Sequence, residues 1–324
     1  MIRYYKKHIN EALIELKKAE KGCWISIYPP FNNEEVRQVS EELDIPLDFF
    51  VDALDIDERS RYEQEDGIQF IVLNVPVKNA NNGSNEALYN TVPLGIAENE
   101  DYILTVTAFA NPVIDALLMP NMKSLDTNDH SRFVLLMLEK VVYYYLQYLK
   151  NINIQRTLYE KELYHSSRSE ELFKMMNLQK SLVYFVTSLR DNELMFLRMQ
   201  RTDFLNVRKR EDCSDFFEDI IIDISQAQEM SRIYTDILNA TLDTFASIIS
   251  NNMNNVMKRL TSITIILMVP TLVSSFFGMN VPLNLPFLNT TIGDTHNQAF
   301  VLILVFSVLL TTGVVLFFRR NRLF

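Results

Sequence analysis

Apolar and polar positions change rhythm along this chain. From residue 24 to about residue 109 the period is two. Trp24-Ile25-Ser26-Ile27-Tyr28 alternates and is stopped by Pro29-Pro30. Residues 67–75 read as a strand ended by Pro76, 78–85 as a polar turn, 87–97 as the partner strand, and 102–109, rich in Thr and Val, as the last strand. Two short helices fall between: 33–43, with an Asn cap and Glu34 and Glu35 in its first turn, and 47–54. Long helices follow at 131–165 and 167–204, joined near Ser166-Ser167. A third starts near Asp212 and meets no Pro or Gly until Pro270, with Gly278 as its stop. Its roughly 66 residues would reach about 100 Å at 1.5 Å per residue. A helix that long needs copies of itself or neighbouring helices to bury a face.

The pattern turns apolar near the end of that helix. Residues 260–277 hold no charged side chain, and about 18 such residues cross a bilayer core as a helix. Yet Thr261, Ser262, Thr264, Thr271, Ser274 and Ser275 place hydroxyls there. At steps of three and four, Asn254, Met257, Thr261, Thr264, Met268, Thr271 and Ser275 share one face, while Ile263, Ile266, Leu267 and Leu272 fall elsewhere. Lipid offers a hydroxyl no partner, so such a stripe faces other helices or water. Two readings follow, hydroxyl-mediated helix packing and the lining of a pore. Carried back in sevens, the row continues through Ser250 to Asp243, Asp236 and Glu229. These acids form either a solvated stalk face or an acidic vestibule that holds cations at the inner mouth. The second span, 299–318, has only Ser307, Thr311 and Thr312 as polar side chains, which suits a lipid-facing outer layer.

Charge fixes the expected topology. Lys258 and Arg259 flank the first span, Arg319, Arg320 and Arg322 follow the second, and residues 278–298 between them hold no Lys or Arg. The positive-inside rule then puts both termini in the cytosol and the loop outside a cell membrane crossed twice. Net charge is -10, which argues against nucleic acid and suits a surface that concentrates cations. Two cysteines, Cys23 and Cys213, without CxxC or a neighbouring His, read as buried reduced thiols. The charged N-terminal stretch has no apolar h-region and is not expected to be a cleavable signal peptide. No Gly-rich phosphate loop, GxSxG or HExxH occurs, so no enzyme is expected. The aromatic run around Tyr143-Tyr144-Tyr145 reads as packing, and Glu160, Glu162, Glu170 and Glu171 as a solvated helix face rather than a Mg2+-gated cluster.

Phe277-Gly278-Met279-Asn280 closes the striped span, where Gly278 is expected to turn left-handed. A GMN tripeptide ending a Thr/Met-striped span, one short loop before a final span and a basic tail, resembles the signature of the CorA-type magnesium channels. The resemblance is close from about Asp215 onward and looser before it, where the Trp24-Ile25-Ser26-Ile27 strand is shared. It implies a funnel-shaped homopentamer in membrane lipid. An α/β cytosolic domain (1–128) would be followed by a helical hairpin (129–211) and a stalk helix running into the first span (212–277). An external loop (278–298), a second span (299–318) and a basic tail (319–324) would complete it. Gly278, Met279 and Asn280 match the selectivity filter, with Asn280 as the outer ring. Asn254, Met257, Leu260, Met268 and Thr271 match pore-lining positions, which the stripe extends to Thr261, Thr264 and Ser275. Met257, Leu260 and Met268 would form constrictions that close by dewetting. Asp243 matches an acid on the stalk and Asp219 one half of an intersubunit Mg2+ sensor.

Three departures qualify the resemblance. The loop after GMN lacks the family's MPEL-like motif, and its one acid is Asp294. The stretch that should face Asp219 reads Lys78-Asn79-Ala80-Asn81-Asn82, with Glu86 the nearest carboxylate. Pro270 lies inside the span, freeing the Ile266 carbonyl. The implied activity is influx of divalent cations, Mg2+ first and Co2+ or Ni2+ next. Zn2+ transport as in the ZntB branch and a non-conducting, membrane-anchored coiled coil stand as alternatives.

Overall fold

A computed structural model describes residues 2–79, 86–119, 122, 124–165, 169–279 and 296–321. The chain divides into two compact units, Met1–Leu242 and Asp243–Phe324. The first is an α/β domain on a seven-stranded sheet. Its strands are β1 (Ile2–Lys6), β2 (Ile14–Leu16), β3 (Cys23–Ile27), β4 (Arg61–Glu65), β5 (Ile68–Lys78), β6 (Tyr89–Glu98) and β7 (Tyr102–Val106), in the order β2-β1-β3-β7-β6-β5-β4. Only β3 and β7 run parallel. One row of directly opposed residues crosses it: Tyr5, Trp24, Ile103, Glu98, Gln69 and Gln64.

Alternation gives the sheet two apolar faces. Under α1 (Asn33–Leu43) and α2 (Leu47–Leu54), residues such as Ile25, Phe70, Val72 and Leu104 meet Val36, Val39, Phe49 and Phe50. Phe49 stacks on Phe70 with ring centres 4.2 Å apart. Gly95 permits this approach, because a Cβ there would lie 2.5 Å from that of Ala53. A short α3 (Pro112–Leu117) is capped by Asn111, whose Oδ1 accepts from the Ile114 N–H at 3.1 Å. The other face packs against α4 (His130–His165) and α5 (Ser169–Thr202). There Phe133 meets Trp24 at 5.4 Å, and Tyr145 Oη donates to the Asn74 carbonyl at 2.9 Å.

α6 (Glu211–Phe277) buries Cys213, Phe217, Ile220, Ile224, Ala227 and Leu238 within this unit, a repeat of three and four. Its start is pinned by Arg210, which donates to both Asp129 carboxylate oxygens at 2.7 and 2.8 Å. Gln179 Nε2 donates to Asn239 Oδ1 at 2.7 Å further along. The second unit comprises the rest of α6 and α7 (His296–Arg320).

Several sequence expectations need adjustment. Pro76 does not end its strand, for β5 continues to Lys78 with Pro76 opposite Thr91. Two residues earlier the Asn74 N–H points away from β6 and donates to Asn192 Oδ1 at 3.2 Å. The Pro76 nitrogen falls on the same outward side, and β4 pairs only with residues 68–72, so no ladder bond is lost. Strands β1, β2 and β4 and helix α3 add to the elements read from the pattern. The helix expected at 299–318 runs His296–Arg320. Glu171 is not on a solvated face: it is buried, and Oε2 has no hydrogen-bond partner among the described residues. Glu170 is exposed, and Glu160 accepts from Arg156 at 2.8 Å. Ser166, Ser167 and residues 80–85 of the expected turn lie outside the described residues.

Candidate ion pathway

Among the described residues two helices are long and apolar enough to cross a membrane, α6 and α7. On α6 every residue of the stripe is exposed: Asn254, Met257, Thr261, Thr264, Met268, Thr271 and Ser275, with Leu260 beside them. Val273 and Ser262 are buried instead, and Ile266, Val269 and Pro270 are half-buried. At 100° per residue this covered row points about 155° away from the stripe. α7 supplies the complementary face, half-buried at Ile303, Ser307, Thr311, Val314, Val315 and Phe318. Pro270 and Ser274 share a groove of about 460 Å³ with Ile303, Ser307 and Thr311. One face of α6 is therefore occupied by α7 and the opposite face, which carries the small polar residues, is open.

Two of the threonine hydroxyls on the open face have their protons engaged within the helix. Thr264 Oγ1 donates to the Leu260 carbonyl at 2.8 Å and Thr271 Oγ1 to the Leu267 carbonyl at 3.0 Å. What they offer outward is an oxygen acceptor, which suits water around a cation. Met257 and Met268, 52% and 61% exposed, interrupt that surface with apolar side chains. Pro270 lies within α6 without ending it.

At the C-terminal end of α6 the expected left-handed turn at Gly278 is absent. Gly278 lies outside the positive-φ region, and its N–H donates to the Ser274 carbonyl at 2.9 Å, as a helical residue would. The last turn then tightens, with the Met279 N–H donating to the Phe276 carbonyl at 3.4 Å. Glycine matters there for approach, since a Cβ would lie 3.1 Å from the Ser274 carbonyl. Met279 is exposed. Asn280, the third member of the filter motif, the loop with Asp294, and Arg322 lie outside the described residues.

The stalk acids are all exposed: Asp219, Glu229, Asp236 and Asp243. In the first unit Glu229 and Asp236 lie on the side of α6 turned away from its buried row. Asp219 sits about 80° around the helix from Glu229. Acids seven residues apart are about 10.5 Å apart along the axis, too far for one chain to hold an ion with two of them at Mg2+–oxygen distances near 2.1 Å. No group of three or more His, Cys, Asp or Glu that could hold a metal occurs among the described residues. Glu86 is engaged by Asn79 Nδ2 at 3.0 Å.

Comparison with known proteins agrees with this arrangement. Residues 19–320 match the family model described as CorA-like Mg2+ transporter protein. The chain belongs to that family. It is 28% identical over 302 residues to the cobalt/magnesium transport protein CorA of Methanocaldococcus jannaschii, covering 92% of this chain and 90% of that one. The structure of the CorA magnesium transporter from the same organism superposes with a TM-score of 0.77 at 24% identity, over 99% of this chain and 98% of that chain. The ZntB cytoplasmic domain from Vibrio parahaemolyticus shares the fold at a TM-score of 0.57 and 11% identity, over 78% of this chain and 97% of that one. An α/β domain, a long helix and two C-terminal apolar helices are thus the family architecture.

Proposed function

We propose that this protein is a homopentameric channel that admits Mg2+ to the cytosol. The observation that carries the reading is the open polar stripe of α6 on the side opposite α7. Copies gathered around an axis with that stripe inward would line a path with Thr hydroxyl oxygens and leave α7 toward lipid. Mg2+ parts with its waters reluctantly, so neutral acceptors that bond to the hydration shell are better suited to it than a dehydrating cage. A ring of Asn280 amide oxygens at the outer mouth would select that hydrated ion. An inside-negative potential of 100 mV drives a divalent cation inward by about 4.6 kcal/mol. Met257, Leu260 and Met268 would close the path by dewetting, and Asp243, Asp236 and Glu229 would gather cations near the inner mouth. Repeated around an axis, these acids repel one another, and bound cations relieve that repulsion.

The test is uptake into liposomes holding the purified protein, with Mg2+, Co2+, Ni2+ and Zn2+ run in parallel. Mg2+ flux that rises with an imposed inside-negative potential supports the reading. Flux confined to Zn2+ would replace the cargo, and no flux of any ion from pentamers would leave a membrane anchor.

Topology is checked separately. With both termini cytosolic, a cysteine at Asn289 should react with an impermeant thiol reagent added to intact cells, while one at Ile2 should not. The opposite labelling would put the acidic stalk outside. Regulation gives a further expectation: if Asp219 holds a closing Mg2+ between copies, Asp219→Ala should raise basal flux at millimolar internal Mg2+. Unchanged flux would remove Asp219 from gating.

A further inference from the structure

The row of side chains that crosses the sheet sets two polar residues against each other. Glu98 on β6 stands opposite Gln69 on β5, so both leave the same face with Cβ atoms about 5 Å apart. Oε2 of Glu98 and Oε1 of Gln69 are each buried, and among the described residues neither has a hydrogen-bond partner. Two unpartnered acceptors buried on directly opposed residues are mismatched unless a proton can join them. Burial alone pushes the Glu98 carboxyl up to about 7 from an ordinary 4.5.

The other end of Gln69 is committed: Nε2 donates to the Phe204 carbonyl at 2.8 Å. Phe204 lies in the corner between α5 and α6, its ring 4.6 Å from that of Tyr62. Charged groups around Glu98 are occupied elsewhere. Asp101 and Glu100, in the turn after β6, act on Lys21, which pairs with Asp101 at 2.7 Å. At the start of α4, Asp129 is held by Arg210, and burial lowers His130. In the corner, Asp203 Oδ1 accepts from the N–H groups of Val207 and Arg208 at 2.9 and 3.1 Å. On β7 the residue opposite Glu98 is Ile103.

We propose that Glu98 and Gln69 form a proton-operated latch on the α5–α6 corner. Protonated Glu98 donates its O–H to Gln69 Oε1, fixing the amide so that Nε2 holds the Phe204 carbonyl. When Glu98 loses the proton, its carboxylate faces the amide oxygen. Gln69 relieves the repulsion by turning its amide, which withdraws Nε2 from Phe204 and loosens the corner from which α6 starts. A proton shared between the two oxygens exists only in the latched arrangement, so protonation favours that state over the open one. The latch is closed below about pH 7 and opens as pH rises through it.

Amide hydrogen exchange of the full-length protein in detergent micelles, from pH 6 to 8.5 and corrected for intrinsic pH dependence, reads the corner at residues 203–210. Wild type should lose protection above pH 7, approaching about tenfold per unit. Glu98→Gln, whose amide N–H donates at every pH, should hold constant protection. Gln69→Met should be weakly protected throughout. Trp24, the only tryptophan and fully buried in the same row, reports by its fluorescence whether each variant keeps its sheet. If Glu98→Gln fails that check, Glu98→Met replaces it, with pH-independent protection expected. Flat protection in wild type, or a wild-type pH step retained in Gln69→Met, overturns the latch.

Discussion

Asn280→Ala is expected to cut Mg2+ uptake per assembled oligomer by at least tenfold, a loss of about 1.4 kcal/mol in barrier terms. The reasoning begins at the helix end. Gly278 still bonds to the Ser274 carbonyl, and the chain leaves the helix through the tightened turn at Met279. Asn280 follows directly on that exit. Its amide oxygen is a neutral acceptor, so a ring of them would bond to the waters of Mg2+ without trapping the ion as carboxylates would. Alanine offers nothing to those waters. A purely structural role would look different: a polar side chain at a helix end contributes about 1 kcal/mol to stability and leaves conduction alone. Flux is therefore normalised to pentamer recovered from the membrane. Wild-type flux per pentamer in Asn280→Ala would remove the selectivity ring from this residue.

How far the sequence carried depended on which physical constraint decided each element. α6 was legible end to end because nothing in it breaks a helix before Pro270, and small polar residues in an apolar run stand out. β4 was not, for Arg61–Glu65 is a polar edge strand paired only with β5, and its identity comes from that partner. β2 has only three residues, too few for a period. Pro76 read as a strand end because composition does not reveal which way its nitrogen points. Gly278 read as left-handed because glycine permits that conformation, whereas its bond to the Ser274 carbonyl carries the helical hydrogen-bond pattern one residue past the end of α6. Glu98 falls one residue beyond the strand read at 87–97, and only the fold shows its carboxyl buried in register with Gln69. The stripe was visible in one dimension, but the covering of the opposite face by α7 is a tertiary fact.

That covering makes the second large effect specific. Thr264→Lys is expected to bring cation uptake to background while the pentamer still forms, and Thr264→Ser to conduct normally. Thr264 is exposed on the open face, and its hydroxyl donates to the Leu260 carbonyl, so serine keeps both the internal bond and the outward oxygen. Lysine would place a ring of ammonium groups inside a narrow path of low dielectric, where charges repel entering Mg2+ strongly. If the stripe merely packs helices together, the same substitution should act through assembly. A lysine buried between membrane helices costs about 2.5–3.5 kcal/mol per copy, so pentamer would be lost rather than blocked. Val273, buried on the opposite face, supplies the contrast. Val273→Ala should weaken the packing of α7 and lower the melting temperature with little change in flux per pentamer. Intact, conducting Thr264→Lys pentamers would take the stripe out of the ion path.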